Sequence, residues 1–141
     1  MTTATIFSIA NTMAMPMWLL MIILPNWKVT RFLINYRVIP ILLSLLYVFY
    51  MISHIQGGGG GLDFGSLSSV MSLFTLENAV MAGWVHYLAF DLLIGMWMLN
   101  QNEKLGIHQL LMAPCLFFTF MLGPVGFLLF MILRTIKISR S

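Results

Sequence analysis

Four long apolar stretches, roughly residues 4–24, 36–54, 76–99 and 109–133, are separated along the chain by short polar segments. An α-helix needs about 20 apolar residues to cross the hydrocarbon layer of a bilayer, and each stretch approaches that length. The pattern predicts an all-α membrane protein, a single domain over residues 1–141 with four transmembrane helices. Between the second and third stretches, Leu67, Val70, Met71 and Phe74 recur at i, i+3, i+4 and i+7 with serines among them. That spacing predicts a short interfacial helix before the third span. Residues 57–61, all glycine, read as a flexible spacer, because consecutive glycines lose too much backbone entropy to remain helical. Cradling a phosphate would require a following Lys and a strand-to-helix context, and both are missing.

Local signals place the ends of the spans. Pro25-Asn26-Trp27-Lys28 closes the first and Asn35-Tyr36-Arg37 opens the second, so both ends lie at one membrane face. Pro40 falls near the start of the second span, where a missing N–H costs least. Thr75 can cap the third, with Glu77 in a first turn where the helix dipole favours a carboxylate. Pro114 and Gly123-Pro124 predict a bend in the fourth. Four crossings put both termini on one face, opposite the 28–37 loop. The alternative is a re-entrant fourth segment broken at Gly123-Pro124, disfavoured by the cost of irregular backbone in lipid.

Composition agrees with lipid as solvent: 60% of residues are hydrophobic and 8% charged. No soluble catalytic domain remains outside the spans. The first stretch has no basic leader and no small-residue cleavage site after it, so it reads as a retained helix. With no transit-peptide composition ahead of it, the chain is expected in a bacterial inner membrane or a photosynthetic membrane. Six of the seven basic residues flank helices, as Lys28, Arg31, Arg37 and as Arg134, Lys137, Arg140. This placement suits the surface of a lipid bilayer and not nucleic acid. In four straight crossings, however, the two clusters fall on opposite sides, and charge does not settle the orientation. Cys115 is the single cysteine, which excludes an intramolecular disulfide and paired-cysteine metal or redox chemistry.

The third span carries the informative residues. His86 and Asp91 lie within roughly 6 Å of its midpoint at 1.5 Å per residue, and an ionised aspartate at that depth costs several kcal/mol unless paired. Glu77, Met81, Trp84, Leu88, Asp91, Gly95 and Met98 form one seam in alternating steps of four and three. His86 lies about 140° around the helix from Asp91, so the two cannot hold one metal ion. They can line a broad pocket or work from two sides of an elongated substrate. Structural alternatives stand beside these readings: an imidazole bonded to a neighbouring helix, a protonated or paired carboxyl, and Glu77 as a helix-terminal charge. Asn11, in the middle of the first span, needs an interhelical hydrogen bond or orients Asp91 or a polar substrate end. Trp84, Tyr87 and Trp97, with Tyr47, Tyr50 and Trp18, give aromatic walls that suit either a flat apolar ligand or ordinary packing. His54 and His108 fall at helix ends, where a solvated interfacial position is expected. The residues specify no cofactor and no metal, and the thirteen methionines are scattered packing residues.

Several of these stretches resemble one family closely. They are Ala10-Asn11 with Pro16-x-Trp18 and Pro25-x-Trp27, Met71-x-Leu73-Phe74 leading to Glu77, Gly83-Trp84-Val85-His86-Tyr87-Leu88-Ala89-Phe90-Asp91-Leu92 with Gly95-x-Trp97, and Gly123-Pro124-Val125-Gly126 before Leu128-Leu129. The family is the neoxanthin synthase-type, or abscisic-acid-deficient-four-like, group of small membrane proteins. The resemblance implies four transmembrane helices and, from its plant members, conversion of a carotenoid epoxide to an allenic alcohol. That isomerisation needs an acid at the epoxide oxygen and a base at the polyene, which casts Asp91 as acid, His86 as base and Glu77 as a second candidate acid. Asn11, Trp84, Tyr87 and Trp97 are then the candidate contacts to a carotenoid or other isoprenoid. The competing expectations are a noncatalytic accessory subunit of a larger pigment-containing membrane complex and a short proton path through Asp91.

Overall fold

The structure is a computed structural model that describes residues 2–58 and 61–140; the glycine run therefore lies partly outside the described residues. Six helices follow in order: α1 Thr3–Ile23, α2 Lys28–Tyr36, α3 Val38–Gln56, α4 Leu67–Leu73, α5 Glu77–Leu105 and α6 Gln109–Ser139. The chain is an all-α membrane protein in which four of these, α1, α3, α5 and α6, are long and apolar enough to span a bilayer. The short helix expected before the third span is α4, with Ser66 as its N-cap accepting from the Ser69 N–H at 3.1 Å. Ahead of it Asp63 accepts the Gly65 N–H at 2.8 Å. That bond, with the Ser69 hydroxyl, holds the Asp63 carboxyl below the usual carboxylate range.

Two details depart from the sequence pattern. The 28–37 loop contains a nine-residue helix, α2, whose Thr30 and Ile34 are buried while Lys28 and Phe32 are exposed. It breaks from α3 at Arg37, which takes the left-handed conformation (φ 50°). Pro40 explains the break, since it has no N–H for the Tyr36 carbonyl and its ring crowds that position. At the start of α5, Leu76 and not Thr75 is the N-cap. The Thr75 hydroxyl instead donates back to the Ser72 carbonyl at 2.6 Å.

α5 is the central helix, packed on α1, α3 and α6, with its most extensive contact along α3. Its Met81, Val85, Leu88, Leu92, Met96 and Leu99 are buried against Trp18 and Met21 of α1, Leu43 and Tyr50 of α3, and Leu116 and Phe130 of α6. Gly95 leaves room for two side chains of α1. A Cβ there would lie 2.7 Å from Met21 Cε and 2.9 Å from the Trp18 ring, so a larger residue would have to displace both side chains.

α6 does not run straight. Leu122 leaves helical geometry (φ −140°, ψ 49°), and beyond it Gly126 sits directly on Thr119 and the Cys115 carbonyl. Leu133, Ile136, Lys137 and Arg140 form one cavity with Gly106, His108 and Leu111. In a straight helix Leu111 and Ile136 would be about 37 Å apart. The helix is therefore a hairpin with arms 109–121 and 123–139, of about 20 and 26 Å, each short of the roughly 30 Å hydrocarbon layer. Both arms meet α5 at one level: Thr119 donates to the Met98 sulfur at 3.5 Å, and Trp97 contacts Phe127 and Phe130 with centroids 6.1 and 5.6 Å apart. The path is that of the re-entrant alternative, and among the described residues Thr2 and Arg140 lie at opposite ends of the bundle instead of sharing one.

The hairpin resolves the charge conflict. Lys28, Arg31, Arg37, Lys104, Arg134, Lys137 and Arg140, all seven basic residues, now lie at one end of the bundle. Basic residues gathered at one end of a bundle are the pattern that the positive-inside rule describes. The same end is fastened by polar bonds. Arg31 pairs with Glu103 at 2.7 Å, and Gln109 donates to the terminal carbonyls of α1 at Ile22 (3.1 Å) and Ile23 (2.9 Å). Asn102 exchanges two bonds with the backbone of Ile107 around Gly106, whose φ of 68° lets the chain turn into α6.

Candidate functional site

Along one side of α5, polar groups meet α1 and the hairpin tip. Trp84 Nε1 donates to Asn11 Oδ1 at 2.9 Å, so the amide in the middle of α1 finds an interhelical partner on the span that carries Asp91. The Trp84 ring stacks on Tyr87 (centroids 5.6 Å, 25°) and meets Phe7 at 5.5 Å. Tyr87 in turn donates its hydroxyl to the carbonyl of Met121 at 3.2 Å, with that of Phe120 at 3.5 Å. Pro124 has no N–H to offer the Phe120 carbonyl, and the tyrosine supplies a donor where the helix itself cannot.

One turn further along α5, the half-buried Asp91 lies against Gly123. A Cβ on that glycine would come within 2.7 Å of Asp91 Oδ1. Asp91 Oδ2 is buried, and no group among the described residues hydrogen-bonds to it. The polar group set nearest to this carboxyl is the Tyr87 hydroxyl one turn back on α5, which interacts with it while donating to the α6 carbonyls; an acid at this depth is costly unless such partners offset it. Asp91 shares that side of α5 with Tyr87, one turn back, and Trp84, two turns back, which holds Asn11 of α1, while the reversal of α6 brings Gly123 to it. The fourth expected contact, Trp97, lies about two turns away, packed on Phe127 and Phe130 of the second arm.

His86 faces elsewhere. Its ring stacks on Phe90 (centroids 4.6 Å, 25°) and meets the edge of Tyr47 on α3 at 5.7 Å. Phe90 is on the exposed surface and Tyr47 is partly buried. The structure thus keeps the 140° separation from Asp91 that helical geometry dictates. Glu77 is exposed in the first turn of α5, about 21 Å along the axis from Asp91, and does not share its site.

The sequence pattern did not single out His54 as a buried group. It is 4% exposed, and its Nε2 has no hydrogen-bond partner among the described residues. The signal was present in the step Leu43, Tyr47, Tyr50, His54, which continues the inward face of α3 to its last turn. His108 does sit at a helix end, where its Nδ1 accepts from the Leu110 N–H at 3.1 Å as the N-cap of α6.

No curated protein and no solved structure matches the chain. The model of the ABA DEFICIENT 4-like family matches residues 5–130, a span that takes in Asn11, the whole of α5 and the hairpin tip. This is the group named by the neoxanthin synthase-type resemblance, and it ties the molecule to carotenoid-related membrane proteins. The chain belongs to the ABA DEFICIENT 4-like family.

Proposed function

We propose that the protein binds an oxygenated isoprenoid of the carotenoid class against α5 and rearranges it by proton transfer, opening an epoxide to an allenic alcohol. Asp91 gives a proton to the epoxide oxygen as its C–O bond breaks. A base takes a proton from the adjacent polyene carbon, and the electron pair left behind becomes the new double bond of the allene. No net oxidation occurs, so no electron acceptor is needed. The observation that carries this reading is the half-buried Asp91 carboxyl at the hairpin tip, whose buried Oδ2 makes no hydrogen bond of ordinary geometry among the described residues and whose neighbour is the Tyr87 hydroxyl, beside the aromatic wall of Trp84 and Tyr87. Asn11 fixes that wall through Trp84. His86 is the base in this proposal; the epoxide oxygen and the adjacent carbon are neighbouring atoms, so with His86 on the α3 side of α5 its proton transfer runs through a relay around the helix and not by direct contact.

The separation of His86 from Asp91 also favours a second reading, a noncatalytic accessory subunit that holds pigment within a larger membrane complex. Holding a polyene requires no acid and base at neighbouring carbons. Product formation from candidate carotenoid epoxides, in membranes with equal amounts of folded protein, separates the two. Under the first reading the wild type converts substrate, and Asp91→Asn and His86→Gln each lose at least about 100-fold. The double variant is then little worse, because residues acting as a unit are non-additive. Full activity in Asp91→Asn eliminates the acid. A wild type without activity that co-purifies with a pigment-containing partner at fixed stoichiometry supports the second.

A further inference from the structure

Beside the strip that leads to Asp91, α5 forms a separate cleft with α3 and the segment before α5, of about 330 Å³. Its walls are mostly apolar, with Met51 from α3, Leu62, Phe64 and Phe74 from the connecting segment, and Ala79 from α5. Phe74 closes one end, within 3.1 Å of where a Cβ on Gly83 would lie. Three polar side chains interrupt the wall, Tyr47, His86 and His54, and the last is buried with Nε2 unpaired among the described residues.

A buried imidazole nitrogen without a partner is costly, and the other hydrogen-bonding groups of the lining are the Tyr47 hydroxyl and the His86 imidazole. The occupant that fits is an uncharged, apolar group with one hydrogen-bonding oxygen. A hydroxyl suits best because it can give or take the bond and so serves either tautomer of His54. The volume is at the small end for ligand pockets, enough for one substituted ring and not for an entire polyene. We propose that this cleft binds the hydroxyl-bearing ring at one end of an isoprenoid, with His54 making the hydrogen bond to the ring hydroxyl. The inference rests on the reading of the protein as an isoprenoid binder. It adds a second anchoring point, on the α3 side of α5.

The test uses the full chain in mild detergent and two ring probes that differ by a single hydroxyl, 3-hydroxy-β-ionone and β-ionone. The three histidines, labelled with ¹³C at Cε1, report binding. The hydroxylated probe should bind about tenfold more tightly and shift the His54 and His86 signals but not that of His108. His54→Phe keeps the ring volume and removes the nitrogen, and should abolish the discrimination. Ala79→Leu leaves His54 in place but fills the cleft, and should weaken both probes, so the proposal stays testable even if His54→Phe fails to fold. Equal affinities in the wild type, discrimination that persists in His54→Phe, or unaltered binding in Ala79→Leu each overturn it. Ring discrimination without conversion of any epoxide leaves the cleft standing and removes the isomerase reading. Conversion without discrimination does the reverse.

Discussion

Substituting Gly123 with alanine tests the placement of Asp91 at the hairpin tip. The added Cβ would lie 2.7 Å from Asp91 Oδ1 and 3.4 Å from its Cγ. Ordinary contact begins near 3.4 Å, so the carboxylate must retreat by at least 0.7 Å, the difference of those two distances. Overpacking of this kind costs about 1–3 kcal/mol, while alanine for glycine in a helix gains about 1 kcal/mol. Gly123→Ala should therefore destabilise the protein by about 0–2 kcal/mol. In an Asp91→Ala background the clash vanishes, and the same change should be neutral or stabilising by up to about 1 kcal/mol. The diagnostic quantity is the coupling between the two sites, about 1–3 kcal/mol, of the size found for residues in contact. Unfolding of the four proteins of this cycle by sodium dodecyl sulfate in mixed micelles, followed by far-ultraviolet circular dichroism, measures it. An equal effect of Gly123→Ala in both backgrounds would show that the carboxylate is not at the tip.

Gly126→Ala should be far more damaging, by about 3 kcal/mol or more, because Gly126 lies on the backbone of the opposing arm. Unchanged stability in the same unfolding assay would refute the hairpin. In a Cys115→Ser background, cysteines placed at Phe32 and Ser139 should label from one membrane face and one at Thr3 from the other; labelling of positions 3 and 139 from the same face would restore four full crossings. Arg31 and Glu103 are 2.7 Å apart but partly exposed, so an Arg31→Met and Glu103→Gln cycle should give no more than about 1 kcal/mol, shrinking in 1 M salt. A coupling that is larger and insensitive to salt would contradict a screened surface pair. The lowered Asp63 value means that its charged form supports the turn before α4 above the ordinary carboxylate pKa of about 3.9. That support is lost as pH falls through the lower folded value. Carboxyl ¹³C titration should give a midpoint below that of the unfolded segment, and a midpoint at or above it would contradict the Gly65 and Ser69 bonds.

Apolar length and the residues at the span ends revealed the four long helices, and the i, i+3, i+4 spacing revealed α4. Helical geometry alone also separated His86 from Asp91. The path of α6 was less legible, because Leu122-Gly123-Pro124 is a helix break under either a kink or a full reversal. The choice depends on what awaits the freed carbonyls, namely the Tyr87 hydroxyl, and the bare Gly126 that lets the arms touch. The charge pattern held the missing clue, since only a reversal gathers all seven cations on one side. α2 escaped notice because nine residues with a polar start read as a loop until the buried Thr30 and Ile34 show one face docked. His54 was misplaced by its position near the end of α3, although its step from Tyr47 and Tyr50 follows the inward face. Asp91 was legible from depth alone, but nothing in the sequence pairs it with Gly123.

The reversal of α6 also bears on how the protein enters the bilayer. A helix that crossed completely would drag Arg134, Lys137 and Arg140 through hydrocarbon, and each such cation at the centre of an inserting segment costs about 2.5–3.5 kcal/mol on insertion scales. The hairpin spares the tail that passage: the last arm is tucked in from the side on which it is synthesised and its charges never leave the water. Only the tip has to find shelter for its broken backbone, and α5, made earlier in the chain, offers the Tyr87 hydroxyl for that purpose. Of the four long apolar segments, only α1, α3 and α5 then run unbroken along the bundle, and the fourth finds its place by docking onto α5.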